Sequence, residues 1–374
     1  MKKEYKITTI IPVYNVASYL DDAIESILKQ SIGFLDNIQL ILINDGSSDN
    51  SEEICLKYAK MYPDNIMYKS QDNKGVSAAR NLGFKFAMGK YINFFDGDDI
   101  WDKHAYEKAI NMLENDDSID LVACRIKFFE KFDTFHHLDY KFDGNRVIDL
   151  NDEPNSIVLH IPTCIVRKDV LWENPFDGNL KISEDTKVIY QILVDKQKYG
   201  ILSDVIYNYR RRNDETSAVQ SSHLSRDWYI DTLKNCQLDL IDMYKKKLGN
   251  VPKFLQYFIM YDLQWKLKLG ITDVLNEEEQ KEYISLVEDL LQYIDDDVIL
   301  NQVNIKIYYK MLALLIKNKG KMNVSLEDKD LYFNNTCLCK LKRIKNTIEI
   351  LKIDNNKLYI DGKVTHLSDD FKLY

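Results

Sequence analysis
The sequence predicts an α/β protein: a mostly parallel sheet with helices on both faces, then a helical region and a short β-rich C-terminal segment. Three observations carry this. Through residue 120 or so, short apolar runs alternate with amphipathic stretches, as strands alternate with helices in βαβ units. From about 220 to 320 helical periodicity dominates. From about 337 a period of two takes over, with Asn355-Asn356 and Asp361-Gly362 as turn signals.

The elements follow in order. "KITTIIPVYN" is a buried strand, and "VASYLDDAIESILKQS" a helix with Leu20, Ala23, Ile24, Ile27 and Leu28 on one face. "IQLILINDGSSDNS" is a strand running into a polar loop, and "SEEICLKYAKMYP" its helix, with Ser51 as expected N-cap. "NIMYKSQDNKGVSAARNLGFKFAMGKYINFFDGDD" reads as strand, loop, helix, strand. "SIDLVACRIKFFE" and "TCIVRKDVL" are further strands, "SEDTKVIYQILVDK" a helix, and "GILSDVIYNYRRR" the closing strand. Helices are expected in "RDWYIDTLKNCQLDLIDMYKKKL", "PKFLQYFIMYDLQWKLKLG", "EEEQKEYISLVEDLLQYI" and "QVNIKIYYKMLALLIKNKG". The expected domains are 1–219, 220–330, and 331–374. The last is read as the start of a β-rich domain continuing beyond the given sequence, since a two-stranded hairpin buries little core unaided.

Composition narrows the function classes. A chain of 374 residues, 45% hydrophobic and 29% charged, has room for more than one core. A net charge of −9 argues against nucleic-acid binding. No apolar run reaches the roughly 18 residues of a membrane span, and no signal peptide is read at the N-terminus. The six cysteines lack a CxxC pair, so reduced thiols and a cytoplasmic location are expected.

The acids of "FFDGDDIW" define the first candidate site. Asp96, Asp98 and Asp99 fall within four positions, and carboxylates so close are costly to bury uncompensated. A calcium loop starting at Asp96 fails, because Ile100 stands where a ligand belongs and Trp101 replaces the required glycine. A helix N-terminus needs only one acid, and Asp102 can supply it. A D-x-D at a strand end suits a hard divalent cation, Mn2+ or Mg2+, that also needs phosphate oxygens. Asp98 is the expected metal ligand, Asp96 is shared between metal and ribose, and Asp99 supports them. Asn15, Asp45, Asn73 and Asp96 each follow a strand, and ligands of open α/β sheets bind beyond the carboxyl ends of strands.

In order, "TTIIPVYN", "LINDGSSDNS", "DNKGVSAARNLG", "INFFDGDD" and "ISED" resemble the family 2 inverting glycosyltransferases of the GT-A fold. The resemblance covers residues 7 to 185 and implies a nucleotide-diphospho-sugar donor, a divalent metal and an acceptor oxygen nucleophile. It implies that Pro12, Val13, Tyr14 and Asn15 hold base and ribose. Asp45 can accept the N3–H of uracil, which points to a UDP-sugar; capping of the "DGSSDNS" turn is its alternative, though Asp49 could serve there. Asn73, Lys74 and Arg80 bring donors and charge to a loop before a helix, suiting a diphosphate, with Arg80 as a solvated helix residue the alternative. In "ISED" the resemblance makes Asp185 the catalytic base and Glu184 its fallback, a role compatible with a helix N-terminus capped by Ser183. Alternation in "YRRR" sends Arg211 to one face and Arg210 and Arg212 to the other, with Arg211 taken as the phosphate contact. His223 is a weaker metal candidate, and His136 and His137 show no ligand spacing.

"PKFLQYFIMYDLQWKLKLG" resembles a narrower group, the bacterial teichoic-acid and capsule glycosyltransferases. That implies a polysaccharide or polyol-phosphate acceptor, and is compatible with peripheral contact at the inner face of the plasma membrane or a homo-oligomer. Two rivals remain at this point. A non-catalytic sugar-nucleotide or polysaccharide-binding module on the same fold would not hydrolyse donor. A nucleotidyl- or phosphotransferase usually opens with a glycine-rich nucleotide loop, which "IIPVYN" lacks.

Overall fold
All eight residues of the strand Ile38–Asp45 are buried, as expected where helices cover both faces of a sheet. The computed structural model describes residues 3–212, 222–270, 273–320, 324–327, 330–333, 336–340, 348–354 and 357–362. Two compact units emerge, Met1–Ile259 with Ile271–Leu286, and Met260–Gly270 with Val287–Tyr374.

The first unit opens with β1 (Ile7–Val13), α1 (Ala17–Leu28), β2 (Ile38–Asp45), α2 (Ser51–Met61), β3 (Ile66–Gln71), α3 (Val76–Phe84) and β4 (Tyr91–Phe94). These strands lie in the order β3-β2-β1-β4 and are all parallel. Chain order reverses between β1 and β4, which opens a crevice at their carboxyl ends. Then follow β5 (Ile100–Trp101), α4 (Ala105–Asn115), β6 (Leu121–Glu130), β7 (Thr134–Phe135), β8 (Arg146–Asp149), β9 (Cys164–Arg167), α5 (Glu184–Lys196) and β10 (Lys198–Arg211). The sheet continues as β4-β9-β6-β10-β5, with β9 antiparallel to both neighbours and β6 parallel to β10. The short β5, β7 and β8 pair antiparallel at its margins.

Close approach explains one helical glycine. A Cβ on Gly83 would stand 2.4 Å from Ile10 Cγ2, so α3 packs on β1 only because the side chain is absent. The helix expected over "RDWYIDTLKNCQLDLIDMYKKKL" is broken into Arg226–Tyr229, a π-helical stretch Leu233–Leu238, and α6 (Asp239–Leu248). Tyr190 of α5 stacks on Phe254 and Phe258 and accepts from Tyr244 Oη at its carbonyl, which anchors the Asp185 helix.

The second unit contains Asp296–Asn301, Ile307–Lys317, a three-stranded antiparallel sheet (Val324–Glu327, Asp330–Phe333, Thr336–Lys340), and a hairpin of Ile348–Asp354 with Lys357–Gly362. The expected Asn355-Asn356 turn lies outside the described residues. Among the described residues no helix is long and apolar enough to cross a membrane.

Candidate active site
Three loops at the carboxyl ends of β1, β2 and β3 are sewn together by short polar side chains. Asn15 adopts a left-handed φ of 50°, and its Oδ1 accepts from Ser48 N at 2.8 Å. Asp49 Oδ2 accepts from Ala17 N and Ser51 Oγ from Val16 N, so the polar loop after β2 caps α1. Ser51, expected to cap its own helix, instead lies in the first turn of α2 and serves α1. Asp45 is buried; it accepts from Gln71 Nε2, Lys74 N and Gly75 N at 2.7–2.9 Å. Gly46 has φ 73°, and a Cβ there would stand 2.9 Å from Asn73 N, so only glycine lets these two loops meet.

The exposed lip of this region carries Tyr14, Asn15, Asn73 and Lys74. Pro12 is half-buried, and Val13 is fully buried in the core, so only its backbone is open to a ligand.

Helix α3 explains "GVSAARNLG". Ser77, Arg80 and Asn81, at helical spacing of three and four, all reach the segment leading to "ISED". Ser77 Oγ donates to the Leu180 carbonyl at 3.4 Å, and Asn81 exchanges two bonds with the Phe176 backbone at 2.7 and 3.0 Å. Arg80 is buried, not solvated. Its Nη2 lies 2.8 Å from Asp96, and its Nη1 lies 3.1 Å from Glu184 and 2.5 Å from Asp185. The two expected carboxylate pairs thus share one cation. Ser183 does not cap α5: it holds a left-handed φ of 68° with no side-chain cap bond, a strained turn that presents Glu184 and Asp185.

Electrostatics follow from this crowding. Burial, Asp185 and Asp98 push Asp96 up to about 6 against the opposing pull of Arg80. Burial and the neighbouring Asp185 push Glu184 up to about 8. Although burial opposes it, Asp185, Asp96 and Glu184 together hold the Arg80 guanidinium protonated. Asp99 is raised by burial and by Asp98 and Asp96; its carboxylate accepts from Tyr207 Oη and Arg210 N, both at 2.7 Å.

The three arginines after Tyr209 divide as alternation requires. Arg212 donates from Nη2 to Asp98 Oδ2 at 2.6 Å, and Arg210 donates from Nε to the Asp98 carbonyl at 2.7 Å. Both guanidiniums lie over the Tyr19 ring. Arg211 lies instead over Phe128 and Tyr209. Residues 213–221, the loop expected to close over a donor, lie outside the described residues, and His223 beyond them is exposed.

Among the described residues no three His, Cys, Asp or Glu side chains form a ready metal cage. The residues present fit part of a metal shell. Asp96 and Asp98 supply hard carboxylate oxygens, half-accessible at a strand end, and need ligand oxygens to complete six positions. Arg212 presently neutralises the same Asp98 oxygen that a cation would use.

Beside the acids lies a group that sequence reasoning missed. His136 stacks on His137 at 4.1 Å and meets His160 edge-on at 5.5 Å, with Tyr209 at 6.3 Å from His160. Thr186 Oγ1, one residue past Asp185, donates to the Leu159 carbonyl at 3.3 Å. Buried Asn93 donates to the Pro162 and Cys164 carbonyls and accepts from Trp101 and Tyr106, which fixes this loop beside β4. His136, Lys141 and His160 line a small cavity of about 20 Å³, room for one water. No spacing in the sequence joins these residues; only the sheet order does.

A parallel nucleotide-binding half-sheet, a D-x-D at its switch point and a second acid pair on a following helix define a nucleotide-sugar transferase of the GT-A class. Residues 8–174 match the family model described as "Glycosyl transferase family 2". Over 381 residues the chain is 40% identical to the minor teichoic acid biosynthesis protein GgaB of Bacillus subtilis (strain 168), covering 99% of this chain but 42% of that protein. Over 344 residues it is 30% identical to the minor teichoic acid biosynthesis protein GgaA of the same organism, covering 90% and 77% respectively. The crystal structure of S. aureus TarS 1–349 in complex with UDP-GlcNAc superposes with a TM-score of 0.64 at 20% identity, over 88% of this chain and 97% of that one, a likeness of fold. This chain belongs to glycosyltransferase family 2.

Proposed function
We propose that the chain transfers a sugar from a UDP-sugar to a hydroxyl of a teichoic-acid-like or capsular surface polymer, inverting the anomeric carbon. The observation that carries this reading is Arg80, which gathers Asp96, Glu184 and Asp185 around one guanidinium. Two acid pairs 105 positions apart or nearly so are held together at considerable electrostatic cost, and active sites are where such cost is tolerated. The names of GgaB and GgaA support a teichoic-acid acceptor, and the UDP-GlcNAc bound to TarS supports a UDP donor.

In this reading the β1 turn, with Pro12, Val13, Tyr14 and Asn15, receives base and ribose, and Asp45 reads uracil. Asn73 and Lys74, exposed on the loop before α3, meet the diphosphate. Asp185 takes the proton of the acceptor hydroxyl as its oxygen attacks the anomeric carbon opposite the departing diphosphate. Arg80 fixes the Asp185 carboxylate in orientation while sharing its charge among three acids, so Asp185 keeps basicity. A divalent cation bound by Asp98 and Asp96 would offset charge on the leaving diphosphate.

The test is a panel of nucleotide sugars with Mn2+ and a polyol-phosphate acceptor, the product anomer read by NMR. Transfer from a UDP-sugar with inverted configuration is expected. Folded protein that turns over none of the UDP-sugars, with or without acceptor, overturns the reading.

A further inference from the structure
Almost every cation near the acids has a carboxylate partner: Arg80 has three, Arg210 has Asp22 and Glu130, and Arg212 has Asp98. Two cations on the other side of Asp185 differ. Among the described residues Arg211 pairs with no carboxylate and lies only over Phe128 and Tyr209, 4.7 and 5.2 Å from the ring centroids. Buried Lys141 donates to the Ile157 carbonyl and likewise has no carboxylate partner. The nearest acid, Asp139, is already held by Arg125 through two bonds of 2.6 Å. In a chain of net charge −9, a pocket with three imidazoles, an ammonium and a guanidinium and no free acid is an unbalanced site.

The groups sense one another. Burial lowers His160 to about 4; Asp185 opposes this, while Lys141, Arg211 and His137 reinforce it. Burial lowers Lys141 to about 7. Solvent reaches Arg211, His160 and His137, whereas His136 and Lys141 are buried. An unbalanced cationic pocket that an incoming anion can reach gains charge-assisted bonds with little reorganisation.

We infer that Lys141, Arg211, His136, His137 and His160 form a subsite for the phosphate of a polyol-phosphate acceptor, seated beside Asp185. The inference rests on the proposed transferase reading and names the acceptor's chemistry. It assigns Arg211 to acceptor phosphate rather than to the donor's diphosphate. A phosphate held there would set the neighbouring polyol hydroxyl within reach of the base, and a neutral glycan would find no partner for the cations.

The experiment is binding, not turnover, so it can fail independently of the transfer reading. Imidazole NMR resonances of the full chain are followed during titration with glycerol 3-phosphate, glycerol, and UDP with Mn2+. Glycerol 3-phosphate is expected to shift the His137 and His160 resonances, and glycerol to leave them unmoved. Saturating UDP should not compete. Arg211→Gln should weaken glycerol 3-phosphate roughly tenfold or more, the scale of one charge-assisted bond. Lys141 is buried, so Lys141→Met is read only if its thermal unfolding matches the parent. Competition by UDP would assign the cluster to the donor's phosphates and overturn the inference. So would shifts of equal size with glycerol, or an unchanged affinity in Arg211→Gln.

Discussion
Arg80 Nη1 lies 2.5 Å from an Asp185 carboxylate oxygen, a pair 105 positions apart in sequence, and the same side chain bonds Asp96 from its other nitrogen. One helix on the nucleotide half of the sheet thereby holds both acid pairs in register.

Removing that cation should be costly. Arg80→Met would leave three crowded carboxylates without their shared partner, and breaking a buried pair typically costs about 3–5 kcal/mol. Arg80→Lys should recover little, because one ammonium cannot reproduce a fork that spans three acids. Urea unfolding measures both variants. A loss below about 1 kcal/mol in Arg80→Met would show that the acids are balanced by something else.

Asp185→Asn should act on chemistry and spare binding. The amide cannot take a proton, so transfer should fall by roughly 10²–10⁴-fold, the usual scale of general-base catalysis. Donor affinity by calorimetry should change little, and stability should hold or rise as one repelling charge leaves. Retained transfer in this variant with loss in Glu184→Gln would move the base to Glu184.

The parallel half of the sheet was legible because each of its strands is a near-continuous apolar run ended by Asn or Asp, and local pattern suffices for that. Asp45, Asp96, Asp98 and Asp185 were legible for the same reason, each standing next to such a run or at a helix start. The antiparallel β5 and β8 were not, being two and four residues long and defined only by their partner β10. Nor did any local signal separate Arg80 from a solvated helical arginine: its burial depends on Glu184 and Asp185 arriving from far along the chain. The histidine cluster was invisible in the same way, since His136 and His160 come from loops brought together by β6 and β9.

Metal dependence should centre on Asp98. Arg212 occupies its Oδ2 at 2.6 Å, so cation binding requires Arg212 to move off. Asp98→Asn is expected to abolish transfer and to weaken Mn2+ binding in the presence of UDP, followed by electron paramagnetic resonance of the free ion. Arg212→Gln should strengthen Mn2+ binding, because the competing charge is gone. Full activity in EDTA, or Mn2+ affinity unaltered in Asp98→Asn, would remove Asp98 from the metal's ligands.

Glu184 should make stability depend on pH in a particular direction. Its folded pKa, about 8, lies above the ordinary carboxylate value of 4.5, because burial and Asp185 disfavour its charge. The folded chain therefore keeps a proton that the unfolded chain releases. The stability this group confers is fully present below about 4.5 and is lost as pH rises through about 8. Asp96, raised to about 6, adds the same sign over a narrower window. Glu184→Gln has no proton to lose and keeps a carbonyl to accept from Arg80. Its unfolding midpoint relative to the parent should therefore rise between pH 5 and pH 8.5, under buffers of matched ionic strength. Thermal unfolding of both proteins at the two pH values settles it. A difference between variant and parent that stays constant with pH would mean that Glu184 is already ionised in the folded chain, held so by Arg80.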